Sequence, residues 1–402
     1  MRLNLVKQSV FSKLLTLQVL LNIIFTIFIS KDVNIIFFIF QEIILIIILL
    51  LKNRNTFLSI LFLPFIFMFT YSVLLYAIVK KNPEFSVPIY FFYFIGMLLI
   101  LVPVVIEKYG KIKQPSMQLM ALIWLVWISI YAVGIFPLIN KKQNEILFTI
   151  NESGILYAFI AVICIYLLFK LWGYTFNINF NMKNFGLRYY IVFFSVLLFI
   201  TWYTLFHTFL GLAQSNNEIF YNWNFSLINP IYSKKYQSII ALLLNSWEPA
   251  IYEEVQRYAY ILILLVIFKN KKFQLQYCVL VSAVLFSLSH ISNFFSTELP
   301  FNNVMSQIIV SFGLGVFLAI LFLYTGKLWL NILIHFVLDF LNFSITDIGY
   351  LTVSIFGNNE WLLKSSIELF ILLFSAFILM IINIKTLKNN IEKLIQFKCN
   401  TN

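Results

Sequence analysis

Apolar windows long enough to span a bilayer follow one another almost without interruption from Leu14 to Lys385. A membrane-spanning helix needs ~20 mostly apolar residues, and segments of that kind occur about twelve times in this chain. Because 61% of the residues are hydrophobic and only 11% are charged, the chain lacks the polar surface that a water-soluble globule requires. The sequence therefore predicts an all-α fold, a polytopic transmembrane helical bundle.

The predicted spans are separated by short polar or basic connections. They cover residues 14–30, 33–51, 57–79, 86–106, 117–139, 155–173, 189–212, 250–268, 275–291, 303–325, 327–345 and 361–384. The segment from Met1 to Lys13 is basic and leads into the first apolar run without a small-residue cleavage site. We therefore expect a retained first helix instead of a signal peptide.

The formal net charge of +12 is distributed in a way that indicates membrane topology. Lys and Arg lie in the short connections between apolar spans, which argues for a topology signal and against a nucleic-acid partner. With a cytoplasmic N-terminus, the cytoplasmic side receives Arg2, Lys7, Lys13, Lys52, Arg54, Lys108, Lys111, Lys113, Lys183, Arg188, Lys269, Lys271, Lys272, Lys327, Lys385, Lys388, Lys393 and Lys398. The opposite side receives Lys31, Lys80, Lys81, Lys141, Lys142, Lys234, Lys235 and Lys364.

Both termini are therefore expected in the cytoplasm. The chain is rich in Lys, Asn and Ile and free of low-complexity tracts, which suggests an AT-rich bacterial genome. We expect a multi-pass protein of a bacterial plasma membrane.

Six ionisable residues fall at membrane depth or at a span end in the second half of the chain. Ionisable groups inside a bilayer cost about 2.5 to 3.5 kcal/mol each even on lenient insertion scales, so each of them needs a partner or a function. The six are Glu253, Glu254, Arg257, His290, His335 and Asp339. The chain has only three histidines, and two of them are in this set.

Glu253, Glu254 and Arg257 lie close together on one predicted helix. Arg257 follows Glu253 by four residues and Glu254 by three, so a helix brings its guanidinium within reach of either carboxylate. One glutamate is then neutralised and the other is free to act as a base. The alternative is a purely structural ion pair between helices. We expect this helix to begin near Pro249, after a short interfacial segment and with Asn245 or Ser246 as its cap.

His335 and Asp339 stand at positions i and i+4 of the eleventh predicted span, so the carboxylate can orient the imidazole. Phe286 and His290 share one face of the ninth span in the same way. Alternating spans deliver the start of the eighth, the end of the ninth and the middle of the eleventh to the same side of the membrane. The sequence therefore predicts that the six residues converge.

These motifs resemble, in order, the three motifs of the CAAX protease and bacteriocin-processing (CPBP, or Abi) family: Glu253, Glu254 and Arg257, then Phe286 and His290, then His335 and Asp339. The segments Ser311-Phe312-Gly313-Leu314-Gly315 and Tyr324-Thr325-Gly326-Lys327-Leu328-Trp329 are also similar to it. The resemblance covers roughly residues 190–345. Gln256 departs from it, because many members carry an aromatic residue just before the arginine.

The resemblance implies an intramembrane endopeptidase with a role for each residue. Glu253 would activate a water molecule, and Glu254 and Arg257 would set its charge state. His290 and His335 would hold or stabilise the oxyanion, and Asp339 stands where the family has Asn or Asp. A base for water and donors for the oxyanion are the groups that peptide hydrolysis needs. The implied substrate is a peptide precursor or a membrane protein.

The resemblance also suggests a division of the chain. We expect an N-terminal multi-span membrane region at residues 1–187 and a CPBP-like protease domain at 188–350. A final transmembrane helix with a basic tail follows at 351–402.

We predict no cofactor and no metal. The chain has no His-Glu-x-x-His pattern, which argues against a standard zinc protease. Two histidines with carboxylates would still be able to bind a metal ion.

Two other functions remain open. One is a non-catalytic scaffold or bacteriocin immunity protein that binds a membrane-protein partner. The other is a transporter, which Gln41, Glu42, Lys170 and Glu368 at membrane depth would suit, although no inverted repeat supports it. We expect Lys170 to extend towards a span end, and Glu42 and Glu368 to pair between helices without a catalytic role.

Overall fold

The computed structural model describes residues 5–29, 35–51, 56–130, 144–174, 176, 186–236, 238–295, 300–351, 355 and 360–399. The chain forms two compact units, Met1–Phe176 and Asn177–Asn400. The described residues are almost entirely helical, and their one β contact is an antiparallel bridge between Ile228 and Ile345. The predicted all-α class is therefore confirmed. The three-part division at residues 187 and 350 stays a prediction.

The first unit contains seven helices within the residues that the structure describes. They are α1 (Leu5–Ile29), α2 (Ile35–Leu51), α3 (Thr56–Lys81), α4 (Ser86–Val104), α5 (Pro115–Ile123), α6 (Glu145–Glu152) and α7 (Ile155–Trp172). α4 continues as a π-helical turn at Val105–Tyr109 and α5 as another at Trp124–Ile130. Two hydrogen bonds join buried or part-buried polar side chains of this unit: Gln41 donates to Thr70, and Thr26 donates to Glu42, which is the predicted pairing between helices.

The second unit contains nine helices within its described residues. They are α8 (Leu187–Leu210), α9 (Asn216–Phe220), α10 (Ile239–Ile267), α11 (Gln274–Ser289), α12 (Phe301–Thr325), α13 (Leu328–Phe343), α14 (Asp347–Leu351), α15 (Trp361–Ile382) and α16 (Ile384–Cys399). Short 3-10 segments at Phe225–Leu227 and His290–Phe295 accompany them. Gly326 ends α12 in a left-handed conformation with a φ of +65°, which glycine adopts without strain.

Seven helices among the described residues are long and apolar enough to cross a membrane. They are Phe57–Lys81, Pro83–Tyr109, Ile155–Trp172, Leu187–Leu210, Gln274–Phe295, Phe301–Thr325 and Trp361–Ile382. The predicted count of about twelve spans is therefore not confirmed. The apolar parts of α1, α2, α5 and α13 are shorter, and α10 carries Glu248, Glu253, Glu254 and Arg257. Part of the predicted span 117–139 lies outside the described residues.

The predicted start of a helix near Pro249 is wrong. α10 begins ten residues earlier at Ile239, and the Ser238 hydroxyl caps it by accepting a hydrogen bond from the Ala241 amide. Pro249 therefore lies inside the helix, where it removes one backbone donor. As a consequence, Glu253 and Glu254 lie near the middle of α10 and not in its first turns.

Packing in the second unit places six helices around a common space. α8 packs against α13, α13 against α10, α10 against α11, α11 against α12, and α12 against α15. α11 and α12 approach closely at Gly315, where an added Cβ would lie 3.2 Å from both the Cα and Cβ of Ala283. The ends of α8, α11 and α13 thereby meet the first halves of α10, α12 and α15 at one end of the unit.

Most of the described basic residues of the second unit lie at the other end, whereas Lys364 lines the cavity and Lys234 and Lys235 lie near the end of α13. Those that the structure describes at the end away from the cavity are Arg188, Lys269, Lys271, Lys272, Lys327, Lys385, Lys388 and Lys393. α16 also lies there, and the side-chain amide of Asn390 donates to the last carbonyls of α12, at Leu323 and Tyr324. Of the basic residues used for the topology prediction, Arg2, Lys31, Lys52, Arg54, Lys141, Lys142 and Lys183 lie outside the described residues.

Candidate active site

A cavity of about 790 Å³ occupies the second unit at the end away from its basic cluster. Side chains from α8, α10, α11, α12, α13 and α15 line it, together with His290 and Pro300 from the segment between α11 and α12. The volume falls within the range of ~300–1,000 Å³ that is usual for ligand-binding cavities. Glu253, His290, His335 and Asp339 all line this cavity, so four of the six predicted residues converge on one space.

Glu254 and Arg257 lie behind the cavity wall and contact each other. Each is only 1% exposed, and an Arg257 guanidinium nitrogen donates to the Glu254 carboxylate. The guanidinium also stacks over the Phe286 ring, 3.7 Å from its centroid. This pair neutralises one of the two glutamates, as expected, and identifies Glu254 as that glutamate.

His335 joins the buried pair to the cavity. Its Nδ1 lies 2.8 Å from Glu254 Oε1, and because a carboxylate paired with arginine only accepts hydrogen bonds, Nδ1 donates. Its Nε2 faces Glu253 Oε2 at 3.7 Å and Asp339 Oδ2 at 3.4 Å. The i,i+4 contact between His335 and Asp339 is therefore the one that the sequence predicted. The imidazole is held in a single orientation with Nε2 towards the cavity.

Glu253 is placed differently from its neighbour Glu254. Its side chain is 16% exposed and lines the cavity. Within the described part of the chain, its ion-pair contact is the one to His335 at 3.7 Å. A carboxylate with that environment has acceptor capacity left for a water molecule.

His290, the last of the predicted residues to be placed, follows the last turn of α11. It caps the C-terminus of that helix, lines the cavity and packs edge-on against Phe286, with ring centroids 5.4 Å apart. Since Phe286 also contacts Arg257, one aromatic ring fixes the positions of both basic side chains. The position of His290 therefore depends on how α11 packs against α10.

The spacing within the first motif is short. Two residues, Val255 and Gln256, separate the glutamate pair from the arginine. Arg257 therefore reaches Glu254 over three helical positions. Gln256, the departure from the family pattern, points its amide to the Tyr260 hydroxyl in the buried interior of α10.

A second polar cluster lines the same cavity, and sequence reasoning missed it. His207 of α8 contacts the Glu368 carboxylate of α15 through Nδ1, and the Tyr203 hydroxyl donates to the same carboxylate at 3.1 Å. Glu368 does pair between helices, as expected. Because the chain has only three histidines, their scarcity was the one signal that would have drawn attention to His207.

The remaining polar side chains among the described residues that line the cavity are amides, hydroxyls and the amine of Lys364. Among the described residues, no three His, Cys, Asp or Glu side chains are grouped as a metal site would require. On α12 the cavity lining includes Asn302, Asn303, Ser306, Gln307 and Ser311. These groups offer hydrogen bonds to a peptide backbone without a net charge.

A known protein family matches part of the chain. Residues 235–341 match the family model described as type II CAAX prenyl endopeptidase Rce1-like. No curated protein and no solved structure matches the chain. The matched segment runs from just before α10 to the last turn of α13 and contains all six predicted site residues. α8 and α15 lie outside it.

Proposed function

Since residues 235–341 belong to the CAAX protease and bacteriocin-processing family, we propose that this chain is an intramembrane endopeptidase in which Glu253 activates a water molecule. The observation that carries the proposal is the contrast between the two adjacent glutamates. Glu254 is buried and neutralised by Arg257, whereas Glu253 faces a cavity of about 790 Å³. One carboxylate is thus a fixed part of the framework and the other is available as a base.

The reaction needs one base and a set of hydrogen-bond donors. A water molecule on Glu253 transfers a proton to its carboxylate and attacks the carbonyl carbon of the scissile peptide bond. His335, held by Glu254 through Nδ1, presents Nε2 to the oxyanion, and His290 presents its ring from the end of α11. Arg257 keeps Glu254 ionised, so Glu254 continues to hold the His335 ring during the reaction.

We further propose that the cavity opens on the side opposite the cytoplasm. In the second unit, Arg188, Lys269, Lys271, Lys272 and Lys327 lie at the end that does not contain the cavity. Short basic connections favour the cytoplasmic side, so the cavity faces outward and both termini are cytoplasmic. The substrate is then an extracytoplasmic segment of a membrane protein or a peptide precursor, with its backbone along the amide-rich face of α12.

The test compares cleavage products in cells that produce equal amounts of wild type, Glu253→Gln and Glu392→Gln. Glu392 is an exposed carboxylate on α16, so its variant controls for loss of a negative charge. New N-termini in membrane and secreted fractions are quantified by mass spectrometry. We expect products from wild type and Glu392→Gln that disappear in Glu253→Gln.

The same products in all three strains would rule out catalysis by Glu253. A scaffold or immunity role, which needs the fold but not this carboxylate, would then be the better explanation.

A further inference from the structure

All three histidines of the chain line a single cavity. His290 and His335 belong to the predicted motifs, but His207 lies on α8, before the segment that matches the family. Its partner Glu368 lies on α15, after that segment. Two helices that the family match does not include therefore supply an imidazole and a carboxylate to the candidate active site.

The contacts of His207 fix the direction in which its ring points. Nδ1 contacts Glu368, whose carboxylate also accepts a hydrogen bond from the buried Tyr203 hydroxyl at 3.1 Å. An imidazole oriented by a carboxylate through one nitrogen presents the other nitrogen for proton transfer. Nε2 is that nitrogen, and the His207 side chain is 21% exposed where it lines the cavity.

His207 lies level with the part of α13 that carries Asp339 and Asn342. The adjacent Thr208 hydroxyl donates to the Asn342 side chain at 3.1 Å, and Asn342 follows Asp339 by three residues, which is about one helical turn. In the ring of helices, α13 separates α8 from α10, so His207 approaches the bound peptide from a different side than Glu253.

We propose that His207 is the general acid that protonates the leaving amine, an inference that rests on the proposed function. Attack by water forms the C–O bond, and the water proton goes to Glu253. When the C–N bond breaks, its electron pair stays on nitrogen, which takes the proton from Nε2 of the His207 imidazolium. Glu368 balances the positive charge of that imidazolium before the transfer, and the proton on Glu253 later returns to His207 through water.

A structural role makes a different prediction. In that case His207 and Glu368 only join α8 to α15, and breaking the contact would weaken the cleavage of every substrate alike. A general acid, by contrast, matters only when the leaving group needs a proton. An amine cannot leave as an anion, whereas a thiol, with an ordinary pKa of about 8.5, leaves as a thiolate.

The experiment uses a peptide that spans a cleavage site mapped by the Glu253→Gln comparison. It is synthesised with an amide or with a thioester at the scissile bond, and the purified full chain is assayed on both. For His207→Gln we expect kcat/KM to fall about 10²- to 10⁴-fold on the amide and less than about 10-fold on the thioester. Glu253→Gln loses activity on both, because both need an activated water molecule.

Thr201→Ala on α8, the helix that carries His207, is the matched control. Its exposed hydroxyl donates to the Leu197 carbonyl of its own helix, and Thr201 is not among the residues that line the cavity, so cleavage of both substrates should stay at the wild-type level. Glu368→Gln provides a second variant should His207→Gln not fold, and it should also lower amide cleavage selectively.

Equal losses on the two substrates for folded His207→Gln or Glu368→Gln, or no loss at all, would overturn the assignment of His207. Glu253 would keep its role in either case. If wild type and Glu253→Gln cleave each of the two peptides at the same rate, the proposed function itself is wrong. The general-acid role then fails with it.

Discussion

Arg257 and Glu254 form an ion pair in the core of the second unit. Both side chains are withdrawn from solvent, and the guanidinium rests on the Phe286 ring. Removing two charges from water costs several kcal/mol per ion, which a direct contact offsets only when the pair stays complete. The pair is therefore sensitive to loss of one partner and tolerant of loss of both.

Replacing Arg257 alone should destabilise the fold strongly. Arg257→Leu leaves the Glu254 carboxylate buried without its cation, and we expect a loss of about 3–5 kcal/mol in the free energy of unfolding. Arg257→Leu combined with Glu254→Gln removes both charges and should recover part of that loss. Thermal unfolding of the purified protein in detergent measures both variants, and equal destabilisation of the two would contradict this account of the pair.

Asp339 should tolerate replacement by asparagine. Its carboxylate lies 3.4 Å from His335 Nε2, and an asparagine amide oxygen in its place would still offer an acceptor to that nitrogen. We expect kcat/KM of Asp339→Asn to stay within about 10-fold of wild type, whereas Asp339→Leu, which has no acceptor, should lose about 10²-fold or more. A loss of the same size in both variants would show that the negative charge, and not the acceptor oxygen, matters at this position.

At the scale of helices, the close approach of α11 and α12 positions His290. Gly315 leaves no room for a side chain, because an added Cβ would lie 3.2 Å from Ala283 and from the Phe286 ring. Phe286 in turn contacts His290 and Arg257. A larger residue at this position must push α11 outward and displace the end that carries His290.

Gly315→Val should therefore lower stability and activity together. Overpacking of this kind costs about 1–3 kcal/mol, and the shift of His290 should reduce turnover even at temperatures where the protein stays folded. Gly211→Ala is the control, since nothing lies within 4 Å of a Cβ built there and its φ of −81° suits any residue. Full activity in folded Gly315→Val would show that the position of α11 does not control the site.

For the whole molecule, the cavity and the basic cluster lie at opposite ends of the second unit. The proposed orientation is tested by labelling single cysteines in intact cells with a maleimide that cannot cross membranes. On a background with Cys399→Ser, we expect Asn303→Cys at the cavity to react in intact cells. Lys388→Cys on α16 should react only after the cells are permeabilised. The reverse pattern would place the cavity on the cytoplasmic side.

How far the sequence predicted this site can be judged from particular residues. The spacing of His335 and Asp339 predicted their contact, because an i,i+4 pair on a helix meets wherever that helix lies. The same reasoning left open whether Glu253 or Glu254 is neutralised by Arg257, since a helix brings the arginine near both. Only burial against Phe286 and His335 distinguishes the two glutamates.

Errors arose where tertiary packing overrides local signals. Pro249 predicted the start of a helix, but Ser238 caps α10 earlier and the neighbouring helices support a helix that contains proline. The count of about twelve spans is not confirmed, because hydropathy responds to buried segments such as α13 as strongly as to segments that face lipid.

The sequence by itself determined the helical class, the match of residues 235–341 to a family model and the contacts within single helices. These follow from apolar length and from helical periodicity, which are local properties of the chain. The tertiary structure alone decided which glutamate faces the cavity and that His207 meets Glu368. Those two residues are 161 positions apart, and no local pattern records which distant helices pack side by side.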